Sequence, residues 1–106
     1  MKKSKNIKSE NFFVKPVPTL FYKLGDKSLK AYDILMVLEA IEENEEVKDY
    51  GIDSLVAGML VTEKIVNKRI GSRMATLYSP GERFREFSKT FKEEYYYIIE
   101  NNKDMG

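Results

Sequence analysis

Apolar and polar positions keep a helical rhythm in two long stretches of this chain and a mixed one between them. In "GDKSLKAYDILMVLEAIEENEE", Leu29, Tyr32, Ile34, Leu35, Leu38 and Ile41 recur at helical spacing, and Met36, Val37 and Ala40 widen the stripe. Gly25 and Asp26 offer a turn and Ser28 an N-cap, so the pattern predicts a helix running to about Asn44 in the centre of the core. The second stretch places Phe84, Phe87, Phe91, Tyr95 and Ile98 at steps of three and four. Its entry, "SPGE", reads as a capping box, with Ser79 as N-cap, Pro80 at the first helical position and Glu82 at the third. That helix is expected to end near Asn101.

Between these stretches the rhythm shortens. Asp53 is a natural N-cap for "SLVAGML", which is long enough for two helical turns, and "TEKIVNKRIGSRM" reads as a further helix capped by Thr62. "FFVKPVPTLFYKL" mixes aromatic and β-branched residues with Pro16 and Pro18, as in an irregular or edge strand. "EVKDYGI" fits a connector or short strand, and "MATLYS" one short strand.

The 106-residue length fits one domain, and a 42% hydrophobic share is ordinary for a globular chain. No run approaches the ~20 apolar residues of a membrane span, and no apolar h-region follows the basic start. The expectation is a cytoplasmic protein with a flexible basic arm at 1–10, a domain at 11–101 and a tail at 102–106. Without cysteine or histidine, disulfides, thiolate chemistry, common zinc sites and histidine triads are excluded. Neither "GSR" nor "SPG" is a phosphate-cradling loop, and no nucleophile is spaced beside a base, so no enzyme activity and no cofactor are expected. Glu42, Glu43, Glu45 and Glu46 lack the ligand spacing of a calcium loop and read as a solvated acidic cap rather than a metal site.

Charge changes the picture more than composition does. The net charge is +1, but residues 1–30 hold eight Lys/Arg against two Asp/Glu, residues 31–60 one against eight, and residues 61–90 seven against three. Solvated faces would produce such poles, and so would a surface built for nucleic acid. On a helical wheel of 62–74, Val66 and Ile70 face inward while Lys64, Asn67, Lys68 and Ser72 face outward, flanked by Arg69 and Arg73. A recognition helix needs this division, and so does any amphipathic helix with a basic solvent face.

"LVAGMLVTEKIVNKRI" resembles the helix-turn-helix of bacterial and phage regulators, on Leu55, Val56, Met59, Val61, Thr62, Val66 and Ile70. Pro18, Leu20, Ser28, Leu29, Lys30 and Ala31 are similar to the "P-x-x-L" and "L-S-x-K-A" entry of plasmid and phage replication initiators. "LYSPGERFREFSKTF" resembles the approach to the terminal helix in MarR-like and plasmid-partition regulators. Leu60 stands where that family usually has a turn glycine, and the eight residues between Ile70 and Ser79 leave room only for a short wing. The resemblance implies a mainly α, winged-helix-like domain with a small β component and a long C-terminal helix. It also implies sequence-specific duplex DNA binding in transcription regulation, replication or partition.

DNA contacts would then come from Thr62, Lys64, Asn67, Lys68, Arg69, Ser72 and Arg73, helped by Lys2 and Lys3 of the arm. Phe84, Phe87, Phe91, Tyr95 and Ile98 would hold a homodimer, or would bury the terminal helix within one subunit. The alternative of another class is a protein-interaction module, such as a phage-type inhibitor or adaptor, docking through the acidic 39–49 region or the tyrosine cluster.

Overall fold

The computed structural model describes the backbone of residues 20–105 and the side chains through Asn101; the expected arm, with Lys2 and Lys3, lies outside the described residues. In chain order the elements are β1 (Phe21–Leu24), β2 (Lys27–Lys30), α1 (Ala31–Asn44), β3 (Val47–Lys48), α2 (Ser54–Thr62), β4 (Val66–Ile70), a 3₁₀ turn (Ser72–Met74), β5 (Thr76–Pro80) and α3 (Phe84–Met105). Among the described residues, three helices and two small antiparallel sheets make an α+β arrangement. It corrects the mainly α, winged-helix-like expectation.

β1 and β2 form a hairpin with Leu24 opposite Lys27. Its two-residue loop begins with Gly25 at φ 62°, a left-handed position that glycine occupies without Cβ strain. Ser28 therefore sits in a strand and caps nothing. The chain passes directly into α1, whose first N–H, on Ala31, donates to the Leu20 carbonyl at 2.9 Å. Ala31, Ile34, Leu35, Val37, Leu38 and Ile41 form its buried stripe, whereas Tyr32 and Met36 face out, so the helix is amphipathic rather than apolar all round. α1 touches both sheets and α3.

Asp53 caps α2 as its sequence position predicts, accepting from the N–H groups of Leu55 and Val56 at 2.9 and 3.2 Å. α2 does not stop at Val61 to begin a second helix. It runs through Leu60 to Thr62 and closes with paired backbone bonds, Lys64 N to Val61 O at 3.0 Å and Ile65 N to Leu60 O at 2.9 Å. Lys64 takes the left-handed position (φ 64°), and Ile65 folds back so that it and Leu60 are both fully buried, the apolar clasp of a Schellman ending. Full burial of each such aliphatic is worth about 1.5–3 kcal/mol, which outweighs the ~1–2 kcal/mol of a left-handed lysine.

The segment expected to be a recognition helix, Thr62 to Met74, is instead the end of α2, a turn, β4 and part of a loop. β4 pairs with β5 from Val66 opposite Pro80 to Ile70 opposite Thr76, and β3 lies on the other side of β5 in the order β3-β5-β4. Ser79 and Pro80 consequently end a strand rather than cap a helix. The N–H of Gly81 donates to the Ile65 carbonyl, and a Cβ there would meet the Lys64 carbonyl oxygen at 2.7 Å, so only glycine allows this approach. α3 starts at Phe84 and continues past Asn101 to Met105.

Candidate nucleic-acid interface

From Lys64 to Gly81 the chain holds four cations and no carboxylate. Strand pairing splits them by face, because residues directly opposite each other point the same way. Lys48, Leu77 and Arg69 form a row across β3, β5 and β4, with Asn67 and Ser79 beyond it on the same side. Lys68 shares the opposite side with Tyr78 and Val47, the side that carries the core. The helical wheel had put Asn67, Lys68 and Arg69 on one surface; a strand of period two separates Lys68 from the other two.

The remaining predicted residues are spread from the end of α2 to the hairpin tip. Thr62 ends α2, Lys64 stands at the hairpin's base, and Ser72 and Arg73 lie at its tip. Asn67 Nδ2 donates to the Pro80 carbonyl at 3.1 Å, a cross-strand brace that occupies an amide expected to contact DNA. Arg69 donates from Nε and Nη2 to the two oxygens of Glu46 at 2.9 and 3.0 Å. Hydrogen bonding from Arg69 holds the Glu46 carboxyl below its usual range and raises the guanidinium in return. The fork is solvent-exposed, so phosphate oxygens can replace the carboxylate at little cost.

Sequence reasoning missed Lys48 and Arg83. Lys48 joins the Arg69 row only through the β3–β5 register, which no local pattern reveals. Arg83 reaches the hairpin base, donating from Nη1 to the Glu63 carbonyl at 2.9 Å while its N–H bonds the Lys64 carbonyl.

On the core side of the hairpin, Lys68, Thr76 and Tyr78 face Ser54, Ala57, Gly58 and Val61 of α2 across a shallow cleft. Tyr78 donates its hydroxyl to Asp49 Oδ2 at 3.2 Å; burial, then the Asp49 charge, pushes the phenol up. Asp49 Oδ1 meanwhile accepts from the Ile52 N–H, so the carboxylate ties the connector that follows β3 to β5.

The residues expected at a dimer interface are drawn largely into the subunit. Phe84 and Phe91 are buried, and Tyr22 meets the rings of Phe87 and Phe91 edge-on at 5.8 and 5.0 Å. Phe87 and Tyr95 are half-buried, and Ile98 is exposed, the inward position passing to Ile99. Part of the acidic cap is also engaged. Ser88, itself buried, donates its hydroxyl to Glu42 Oε2 at 2.6 Å, Lys92 bonds the other oxygen, and the Tyr96 hydroxyl donates to Glu39 at 2.8 Å. Burial alone would raise the Glu42 carboxyl, but the bonds from Lys92 and Ser88 outweigh it and hold it low. The bond to Glu39 pushes the Tyr96 phenol up to about 12.

Among the described residues no group of three or more acidic side chains is placed to hold a metal ion, and no helix is long and apolar enough to cross a membrane. Compared with protein-family models, curated proteins and solved structures, the chain matches none.

Proposed function

We propose that the protein binds duplex DNA through the β4–β5 hairpin, in the cytoplasm, as a regulator or a replication or partition factor. The observation that carries this reading is the hairpin itself: Lys64, Lys68, Arg69 and Arg73 on one exposed ribbon with no acidic residue between Lys64 and Gly81. Lys48 and Arg83 extend the cationic surface along the sheet and at its base. Cations on a ribbon can follow the phosphates of a duplex, and the Glu46 carboxylate keeps the Arg69 fork oriented until phosphate takes its place. The contacts are to the backbone, so affinity should fall steeply with salt.

Fluorescence anisotropy with a labelled random duplex tests this directly. Wild-type protein is expected to bind at low salt, and Lys68→Ala with Arg69→Ala to weaken binding and flatten the log–log salt dependence by about one unit per lost phosphate contact. Unchanged binding in the double variant would remove the hairpin from the interface.

A second reading is favoured by a separate surface. Met36, Glu39, Ala40 and Glu43 line a groove along α1 closed on one side by Lys92, with Tyr32, Tyr96 and Tyr97 exposed nearby. Such a face suits a basic protein partner of an inhibitor or adaptor, or, through Tyr96, Tyr97 and Ile98, a second copy of this chain. Light scattering measures the second-copy arm; a dimer that Tyr97→Ser returns to monomer supports it.

A further inference from the structure

We infer that the tip of the β4–β5 hairpin bends DNA, with Met74 inserted as an apolar wedge between base steps of the minor groove and Arg73 beside it. The inference rests on the DNA-binding reading above and adds a deformation that phosphate contact alone does not require. Ala75 N bonds the Ser72 carbonyl at 3.1 Å across Arg73 and Met74, which both lie in the left-handed region, at φ 56° and 62°. This is the backbone of a primed hairpin turn, for which Asn-Gly is the unstrained choice. Arginine and methionine pay a steric cost in it, and no core contact repays that cost: Met74 is 81% exposed and Ile70, where β4 ends, is 54% exposed. Strain kept at an exposed tip points to a use for the side chains.

The chemistry of those side chains selects the use. Methionine is unbranched and polarisable, and it is among the apolar side chains that wedge between base steps. A cation stands beside it at Arg73, and a second, Arg69, lies just before the end of β4 on its Glu46 fork. An undeformed minor groove about 6 Å wide is too narrow for a two-stranded ribbon whose backbones are themselves ~4.8 Å apart. A two-residue tip is the part of the hairpin narrow enough to enter. Unstacking a step there opens the groove and kinks the duplex by roughly 20–90°.

The test is end-to-end energy transfer on a duplex of about 30 base pairs, read alongside anisotropy on the same samples. Wild-type protein is expected to bind with salt-dependent affinity and to shorten the end-to-end distance. Met74→Ala and Met74→Gly should leave the duplex straight at protein concentrations that saturate it in the anisotropy. Met74→Gly should also raise the melting temperature, showing that the loss of bending is not a loss of fold. Binding without bending by wild type, or equal bending by Met74→Ala, overturns the wedge and leaves the DNA-binding reading standing. Absence of salt-dependent DNA binding overturns both. Capture by anionic vesicles without DNA binding does the same, assigning the apolar, basic tip to a lipid surface.

Discussion

Two antiparallel hairpins among the described residues invest their side chains in opposite ways. In β1–β2 the turn is made by Gly25, the strands contribute Leu24 and Leu29 to the core, and the loop lies against Met59 and Glu63. In β4–β5 only the base is buried, through Val66 and Tyr78, while the far end exposes Ile70 and, on a turn that neither suits, Arg73 and Met74. The first hairpin is locally consistent and structural. The second breaks local rules where it meets solvent, and such breaks concentrate at functional sites.

The largest effects expected from this contrast are in the core. Leu29→Ala in the first hairpin removes a side chain only 3% exposed and should cost about 2–5 kcal/mol in denaturant unfolding, whereas Met74→Ala in the second should stay within about 0.5 kcal/mol. Equal losses would mean that the exposed tip is packed after all. Next, Gly25→Ala places a Cβ in a left-handed turn and beside Met59, and should destabilise by about 1–2 kcal/mol. Met74→Gly runs the other way, a gain of up to about 1 kcal/mol measured as a higher melting temperature.

α1 formed where apolar periodicity put it because its stripe from Ile34 to Ile41 meets both sheets and α3, and Asp53 capped α2 because its carboxylate needs only the two N–H groups that follow it. "MATLYS" became β5 by alternation, Tyr78 inward and Leu77 outward. The recognition helix failed for a physical reason that the sequence conceals. Val66 and Ile70 are four residues apart, a spacing that serves a helix face and one side of a strand alike. The deciding event is the α2 ending at Lys64, where no glycine announces a C-cap and the clasp between Ile65 and Leu60 supplies the stop. "SPGE" carried a complete capping signal, but Pro80 lies beyond the reach of β3, opposite Val66 at the strand's end, where its missing N–H costs little. Of the candidate site, the basic residues were legible as a set. Their division between two faces was not, because that depends on period and register.

The acidic surface away from both hairpins gives a smaller, pH-dependent effect. Glu42 is held below the ordinary carboxyl value in the fold, so its bonds to Ser88 and Lys92 stabilise the α1–α3 contact above the usual carboxyl range, about pH 4.3, and are lost as pH falls through the lowered value. Glu42→Gln should remove that acid step from a stability–pH profile and leave the hairpins' chemical shifts unchanged. Tyr96, raised to about 12, has the opposite sign: its bond to Glu39 persists below the ordinary tyrosine value of 10.0 and is lost as pH rises toward 12. A late-titrating tyrosine in an absorbance titration, absent in Tyr96→Phe, is the expected signature.

The contrast between the hairpins is tested most directly by backbone amide chemical shifts recorded while a short duplex is added at low salt. Binding through the second hairpin predicts movement at Lys64 to Thr76, reversed by added salt, with Tyr22 to Leu29 unmoved. Perturbation confined to Tyr32, Met36 and Tyr96, or none at any duplex concentration up to millimolar, would contradict it.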